Sequence, residues 1–229
     1  MIPLKDNNPT QRFPFVTVLL ILANSLVFFY TDLLGFGTKE FIYRFAVVPL
    51  DIMSLGEASG RGALSALGTT LTSQFMHGGI LHIVSNMLFL WIFGNNVEDR
   101  MGPIFFILFY STCGVAAATA QVLGDPTSTI PMLGASGAVA GVMGAYLLMF
   151  PSAQVLTIIW IIFFVRLVWL PAYVIIIYWI IIQILSQLNS GSQQGGVAYL
   201  AHIGGFAAGI AIYFAFRIFS EKKGGHGLT

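Results

Sequence analysis

Three groups of polar residues lie in glycine-rich or apolar stretches of this 229-residue chain, and their types suit acyl-transfer chemistry. The first is Ser136 in GASGAVAG, which follows a turn-rich connector and is predicted to open a helix. The first turn of a helix carries unpaired N–H groups and the positive end of the helix dipole, which stabilise an oxyanion. A helix cap with close packing of small residues is the alternative, because Gly137 and Gly141 form a G-x-x-x-G pair.

The second group is His202 in AHIGGFAAG. Gly205 and Gly209 follow it at i+3 and i+7, so the three residues share one helical face. Since glycine lets helix backbones approach closely, this face is predicted to pack against the glycine face that follows Ser136. His202 would then accept the Ser136 proton as a general base. The alternative is a histidine bonded to a backbone carbonyl.

The third group is His82 and Asn86 in HGGILHIVSN, which are four residues apart and lie on one face of a helix. The Asn86 amide is an N–H donor that cannot ionise, which suits an oxyanion, and His82 would add a second donor. A metal site is the rival interpretation, but His77 points elsewhere on a helix, and neither a carboxylate nor a cysteine is near in sequence. We therefore predict no metal and no cofactor, and expect His77 to hold the loop before the helix.

Two further polar residues are expected to be structural. Glu98 in GNNVEDRMG lies four residues from both Gly94 and Gly102 and is predicted to bond loop backbone groups. Asn24 lies in the middle of an apolar run and is predicted to bond a neighbouring helix. The carboxylates beside the apolar runs fall at or near the ends of those runs, so a Ser–His dyad without a third, acidic member is expected.

The composition places these groups inside a membrane. Hydrophobic residues make up 57% of the chain and charged residues 8%, against about 25% charged in a typical soluble domain, and the mean hydropathy is +0.85. This excludes a soluble cytosolic enzyme and a disordered chain, and the net charge of +1 excludes a nucleic-acid binder. Cys113 is the only cysteine, which excludes an internal disulfide and a Cys-based zinc site. The predicted fold class is an all-α polytopic membrane protein.

Six apolar runs are predicted to be transmembrane helices, each of which takes about 20 residues. They cover residues 15–34, 81–101, 103–123, 134–151, 170–187 and 198–216. The mixed segment 36–79 is predicted to form short helices at the membrane interface, and 153–169 is predicted to be a second interfacial stretch. Seven Lys and Arg residues fall on one side of the membrane and three on the other, which predicts cytoplasmic termini. The chain is thus divided into a cytoplasmic segment 1–14, a six-span domain 15–217 and a polar cytoplasmic tail 218–229.

The motifs HGGILHIVSN, GNNVEDRMG, GASG and AHIGGFAAG, in this order, resemble the rhomboid family of intramembrane serine proteases. The resemblance covers about residues 15–217 and implies a six-helix rhomboid-like bundle. It implies that Ser136 is the nucleophile and His202 the general base. It also implies that Asn86 and His82 are the oxyanion donors, with the Ser136 backbone N–H assisting.

The resemblance extends to the loops and includes one departure. Residues 36–79 resemble the family's first loop, although the Trp–Arg pair often found there is missing, and the fifth span and the loop 188–198 resemble the substrate gate and cap. Some members carry a tyrosine four residues after the nucleophile, stacked on the histidine. This chain has Ala140 at that position, so another residue must orient His202.

The function that the resemblance implies is an intramembrane serine endopeptidase that cleaves peptide bonds in or near transmembrane segments of membrane-protein substrates. Its expected partners are such substrates and the lipid bilayer, without nucleic acid, and its expected location is a bacterial cytoplasmic membrane. The alternative is a catalytically silent rhomboid-like protein that binds or escorts single-span clients, but Ser136 and His202 are both present and favour the enzyme. A transporter is disfavoured, since neither internal repeats nor charged midplane residues are found.

Overall fold

The computed structural model describes residues 1–161, 164–189 and 197–224, and within them the chain is mostly helical. The helices are α1 (Phe15–Phe28), α2 (Lys39–Phe45), α3 (Pro49–Met53), α4 (Ala63–Thr72), α5 (Ile80–Phe89), α6 (Asn95–Met101), α7 (Pro103–Gly124), α8 (Ser136–Met149), α9 (Ala172–Asn189) and α10 (Tyr199–Gly224). The strands are β1 (Ile2–Asp6), β2 (Gln154–Ile161) and β3 (Phe164–Pro171). One π-helical turn, Phe29–Leu33, extends α1, and another, Leu90–Gly94, joins α5 to α6.

Five helical segments of the described chain are long and apolar enough to cross a membrane. They are Phe15–Leu33, Ile80–Met101, Pro103–Gly124, Ala172–Asn189 and Tyr199–Ile218. Each of their boundaries lies within two residues of a predicted boundary, so the prediction of a multi-pass helical membrane protein is confirmed. Most of the loop 188–198, compared above with the cap, lies outside the described residues, as does the end of the tail 218–229.

The fourth predicted span corresponds to α8, which has only 14 residues. At 1.5 Å per residue it is about 21 Å long, whereas the hydrocarbon core of a bilayer is about 30 Å thick. Ten consecutive residues from Gly137 to Tyr146 are buried. The helix is therefore enclosed by its neighbours and lies at the centre of the bundle, where it does not need to span the lipid by itself.

Small residues allow α8 and α10 to lie in backbone contact. A Cβ added to Gly144 would lie 2.6 Å from the carbonyl oxygen of Phe206, and one added to Gly209 would lie 2.6 Å from the Cα of Gly141. Both distances are shorter than any real Cβ contact, so only glycine fits. The predicted pairing of the glycine faces of the fourth and sixth spans is confirmed.

The region between α8 and α9, predicted as an interfacial stretch over 153–169 without any strand, is a β-hairpin. β2 pairs with β3 in antiparallel register from Gln154↔Pro171 to Ile161↔Phe164, and β1 pairs with the other edge of β2. These strands are rich in Ile, Val and Trp, which favour strands but give the same apolar signal as a membrane span. The predicted helical bundle thus holds, with a three-stranded sheet added. The division from the fifth span near Pro171 is confirmed, and the position of the hairpin at the membrane interface stays a prediction.

Asp6 fixes the end of β1 to the helical bundle. Its Oδ2 accepts hydrogen bonds from the Tyr146 hydroxyl at 2.7 Å and from Asn96 Nδ2 at 2.8 Å. Burial raises the pKa of Asp6 above its ordinary value, because the low-dielectric surroundings disfavour the carboxylate. Segment 1–14, predicted as a separate cytoplasmic segment, therefore contributes a strand that is anchored to α6 and α8.

The predicted short helices of segment 36–79 are present as α2, α3 and α4. Arg61 holds this segment together. Its Nε lies 2.7 Å from Asp51 Oδ2, and its terminal nitrogens donate to the carbonyls of Tyr43 at 2.8 Å and Arg44 at 3.1 Å. Asp51 is buried and Arg61 is partly exposed, so loss of Arg61 would leave a buried carboxylate without its ion-pair partner. The location of the segment at the membrane interface stays a prediction.

Asn24 does not bond a neighbouring helix, and that prediction is wrong. Its Nδ2 donates to the Leu20 carbonyl, one turn earlier in the same helix, at 2.7 Å. The Asn24 Oδ1 has no hydrogen-bond partner among the described residues. A buried asparagine can reach the carbonyl four residues before it, so it does not require a partner on another helix.

Candidate active site

Ser136 is the first residue of α8, and the chain makes a sharp turn just before it. Gly134 has a φ of +130°, and a Cβ at this position would lie 2.8 Å from His82 Nε2. Glycine is therefore needed both for the backbone conformation and for space. The Gly134 N–H donates to the Ser73 carbonyl at 2.9 Å, which holds the connector in front of α8. The partly exposed Ser136 hydroxyl thus lies at a helix N-terminus, where the GASG motif predicts it.

His202 lies in the first turn of α10 and is only 9% exposed. Its Nε2 is 2.7 Å from Ser136 Oγ, a hydrogen-bond distance between residues 66 positions apart in the chain. The contact is possible because α8 and α10 touch through glycine: a Cβ on Gly205 would overlap the carbonyl group of Gly137. The structure therefore brings the predicted nucleophile and the predicted base together.

His82 and Asn86 are one turn apart on α5, which packs against α8. His82 borders the same small space as Ser136. The point that a Gly134 Cβ would occupy lies 2.8 Å from His82 Nε2 and 3.7 Å from Ser136 Oγ. Asn86 is 6% exposed, and its Nδ2 has no hydrogen-bond partner among the residues that the structure describes. A buried donor without a partner costs about 1–3 kcal/mol, so this amide is available for an acceptor that arrives with a ligand.

His77 lies beside His82 and supports it through ring packing. The two imidazole centroids are 5.0 Å apart, and the ring planes meet at 69°. Burial lowers the pKa of His77 to about 3, with a further contribution from His82, so the ring is neutral at neutral pH. Neither ring nitrogen forms a hydrogen bond within the described part of the chain. His77 therefore supports its loop through packing against His82.

Two residues of α9 contact His202 and were not among the predicted site residues. Gln183 Oε1 lies 2.7 Å from His202 Nδ1, and the Trp179 ring lies 5.5 Å from the imidazole, centroid to centroid, at an angle of 39°. One signal in the sequence could have identified Gln183, because it is a single polar residue in the otherwise apolar run from Tyr178 to Leu185. Gln183 and Trp179 are therefore the candidates for orienting His202 in this chain, which has Ala140 four residues after Ser136.

Glu98 lies apart from these residues and has the structural role predicted for it. Its carboxylate accepts hydrogen bonds from the backbone N–H groups of Val16 at 2.9 Å and Thr17 at 2.7 Å, and from the Thr17 hydroxyl at 2.8 Å. These donors belong to the first turn of α1, not to a loop. Glu98 thus caps the N-terminus of the first span from a neighbouring helix, where a negative charge is favoured by the helix dipole.

The fold and the site together define a multi-pass helical membrane protein with a hydrogen-bonded Ser–His pair inside its bundle. The sequence model of the Rhomboid domain matches residues 65–219, which is more than half of the chain. This protein therefore belongs to the rhomboid family.

Relatives occur in bacteria and in eukaryotic organelles. The chain is 29% identical over 213 residues to Rhomboid protease GluP of Bacillus subtilis, in an alignment that covers 93% of this chain and 36% of that protein. It is 30% identical over 205 residues to RHOMBOID-like protein 12, mitochondrial, of Arabidopsis thaliana, which covers 82% of this chain and 54% of the relative. It is 27% identical to Rhomboid protein 1, mitochondrial, of Saccharomyces cerevisiae, over 60% of this chain and 38% of the relative. The chain thus spans between about a third and a half of the length of these relatives, and its location in a bacterial membrane stays a prediction.

Proposed function

We propose that this protein is an intramembrane serine endopeptidase that cleaves peptide bonds in or near the transmembrane segments of membrane-protein substrates. The observation that carries the proposal is the 2.7 Å contact between Ser136 Oγ and His202 Nε2, inside the bundle of a rhomboid-family chain. Proteolysis as the reaction class is supported by a relative that is named as a rhomboid protease. The proposal assigns the activity to residues 15–217.

Acylation begins when Ser136 Oγ attacks the carbonyl carbon of the scissile peptide and His202 Nε2 takes the hydroxyl proton. The carbonyl oxygen becomes an anion in the tetrahedral intermediate. In this proposal Asn86 Nδ2, which is buried and has no partner among the described residues, stabilises that anion, and His82, which borders the same space as Ser136, is a second donor. One such donor is worth about 3–4 kcal/mol of transition-state stabilisation.

The intermediate collapses when the protonated His202 gives its proton to the leaving amine and the C–N bond breaks. This leaves an acyl group on Ser136 Oγ. A water molecule then attacks the acyl carbon while His202 takes its proton, and the proton returns to Ser136 as the carboxylic acid leaves. Water is the only reactant required besides the substrate.

The proposed topology determines where water and substrate enter. With six spans and cytoplasmic termini, α8 begins on the outer side, so the partly exposed Ser136 faces that side. A helical substrate has its backbone already hydrogen-bonded and must unwind before its carbonyl can reach Ser136. Glycine and other poor helix formers near the cut reduce this cost by up to about 1 kcal/mol per residue, so substrates with such residues are expected to be preferred.

The experiment that tests the proposal is cleavage of a single-span reporter by purified protein in liposomes, with glycine residues placed near the outer end of the reporter's membrane segment. We expect cleavage by the wild type and loss of at least about 1,000-fold in Ser136→Ala and His202→Ala, because removal of one member of a catalytic pair removes its function. Ser25→Ala is the matched control, since Ser25 is exposed on α1. Cleavage by Ser136→Ala at the wild-type rate would remove Ser136 from the mechanism.

The same preparation separates the enzyme from the silent alternative. A wild-type protein that retains single-span clients in a pull-down but neither cleaves them nor reacts with a serine-directed fluorophosphonate would be a binding or escort protein. Reaction with the fluorophosphonate does not depend on the choice of reporter, so it distinguishes a poor substrate from an inactive site.

A further inference from the structure

Gln183 contacts the imidazole nitrogen of His202 that faces away from Ser136. The distance from Gln183 Oε1 to His202 Nδ1 is 2.7 Å, equal to the distance on the Ser136 side of the ring. The Gln183 side chain comes from α9, whereas Ser136 and His202 come from α8 and α10. Gln183 is only 7% exposed, and it lies on a helix whose outward face is largely apolar. A buried amide aimed at a buried imidazole is a built contact, since each of the two polar groups satisfies the other.

The second hydrogen bond of Gln183 fixes the orientation of its amide. Gln183 Nε2 lies 3.4 Å from the Trp179 carbonyl, one turn earlier in α9, and a carbonyl oxygen can only accept. The NH₂ group must therefore face the Trp179 carbonyl, and Oε1 must face the imidazole. Because Oε1 can also only accept, His202 Nδ1 must carry the proton in this contact. His202 Nε2 is then left with a lone pair, which is the form that accepts the Ser136 hydroxyl proton.

We propose that Gln183 is a positioning residue that holds His202 in the Nδ1–H tautomer, with Nε2 directed at Ser136. This inference rests on the proposed serine-protease function and adds a third, uncharged member to its Ser–His pair. Trp179 assists by packing its ring against the imidazole, 5.5 Å away between centroids. Since both residues belong to α9, the base is oriented by a helix that carries neither of the reacting groups.

A neutral amide orients the imidazole without neutralising the imidazolium that forms during catalysis. We therefore expect Gln183→Leu to lower kcat by about 10- to 100-fold, by analogy with the loss found when the hydrogen-bond partner of a metal-binding histidine is removed. This is less than the about 10,000-fold loss that follows when a carboxylate partner is replaced and the tautomer becomes wrong. KM should change much less than kcat, because the side-chain oxygen of Gln183 bonds the His202 imidazole, which acts in the chemical step.

The Gln183→Glu variant tests whether the side chain at position 183 orients the His202 ring or only fills the space beside it. A carboxylate at this position still accepts from Nδ1–H, so it should restore activity relative to Gln183→Leu. It also stabilises the imidazolium, so the base loses its free lone pair at a higher pH. The acidic limb of the kcat/KM profile should therefore move to higher pH in Gln183→Glu, which would show that the side chain at position 183 acts on the imidazole, and the recovery of activity relative to Gln183→Leu would show that the acceptor is what activity requires.

The matched control is Gln121→Leu. Gln121 Oε1 accepts from the backbone N–H of Ala201 at 3.3 Å, so this variant also removes a glutamine hydrogen bond to α10, but not one to the imidazole. We expect Gln121→Leu to keep the wild-type pH profile and the wild-type rate of fluorophosphonate labelling. The labelling rate reports activation of the Ser136 hydroxyl without a protein substrate.

The experiment measures kcat, KM, the pH profile and the labelling rate for the wild type and the three variants, each normalised to folded protein by thermal unfolding in detergent. A 10- to 100-fold loss in both kcat and labelling for Gln183→Leu, with partial recovery in Gln183→Glu, supports the positioning role. Labelling of Gln183→Leu at the wild-type rate overturns this role alone. A wild-type protein that neither cleaves nor labels overturns the proposed function, and the role of Gln183 with it.

Discussion

Replacement of Gly205 by alanine tests whether helix contact positions the Ser–His pair. A Cβ at Gly205 would lie 2.9 Å from the carbonyl carbon of Gly137 and closer still to its oxygen, whereas ordinary contacts begin at 3.4 Å. Both groups are backbone in the middle of packed helices, so α8 and α10 would have to separate, by roughly 1 Å at this point. The contact between Ser136 and His202, now 2.7 Å, would lengthen to roughly 3.7 Å, which is beyond hydrogen-bond reach.

A misplacement of about 1 Å in a catalytic group costs about 100-fold in rate. We therefore expect Gly205→Ala to cleave the single-span reporter in liposomes about 100-fold more slowly than the wild type. Thermal unfolding in detergent, measured in parallel, shows whether the protein is still folded. Alanine is the better helix former by about 1 kcal/mol, so the loss cannot come from a weakened α10.

Gly68→Ala is the control for this substitution. Gly68 lies within α4, and a Cβ there would have no atom within 4 Å. The same change of residue should therefore leave the cleavage rate unaltered. A Gly205→Ala protein with the wild-type rate constant would refute the reasoning that glycine contact between α8 and α10 sets the distance from base to nucleophile.

Three other predictions concern the proposed oxyanion donor and two structural contacts. Asn86→Ala should lower kcat by about 100- to 1,000-fold with little change in KM, as steady-state kinetics on the reporter would show, and a change in KM alone would contradict the oxyanion role. Glu98→Gln should lower the free energy of unfolding by about 1–3 kcal/mol, because an NH₂ group would then face the N–H donors of α1. Its activity per folded molecule should be unchanged, and unaltered unfolding would contradict the capping role. Arg61→Leu should destabilise by about 3–5 kcal/mol, since it leaves the buried Asp51 carboxylate without its ion-pair partner. An Asp51→Leu/Arg61→Leu protein that unfolds like the single variant would exclude that coupling.

The transmembrane helices could be predicted from the sequence because bilayer thickness sets their length. A run of about 20 apolar residues between polar ends rarely forms anything but a membrane-spanning helix. The boundaries of Ile80–Met101 and Pro103–Gly124 follow the predicted runs closely. The glycine spacing after Ser136 and His202 predicted the contact between α8 and α10 for a similar reason. A glycine face on a helix predicts close packing against another helix, because only glycine leaves room for a neighbouring backbone.

The sheet could not be predicted because its signal is hidden by composition. The strands Gln154–Ile161 and Phe164–Pro171 contain apolar residues on both faces, so the alternation that identifies a half-buried strand is missing. Strand β1 (Ile2–Asp6) pairs with β2 although the two strands are about 150 residues apart in the sequence. Local patterns carry no information about such a partner.

The site was predicted in part. The sequence did not predict the partners of polar residues that can bond more than one group. Ser136 and His202 were predicted to meet because the glycine faces beside them pack together, and the resemblance to the rhomboid family implied their roles. Asn24 was predicted to bond a neighbouring helix, but its side chain bonds a backbone carbonyl of its own helix. Gln183 also carries an amide, and it bonds His202 on a different helix. An amide in an apolar run can bond within its helix or between helices, and only the packing decides which occurs.

The central claim is that His202 makes Ser136 a nucleophile inside the membrane bundle. Its most direct measurement is mass spectrometry of peptides after reaction of the purified protein with a fluorophosphonate. The account predicts a phosphonyl adduct on Ser136 in the wild type and its loss in His202→Ala. A wild-type protein that is folded but carries no adduct at Ser136, or an adduct that forms equally well without His202, would contradict the account.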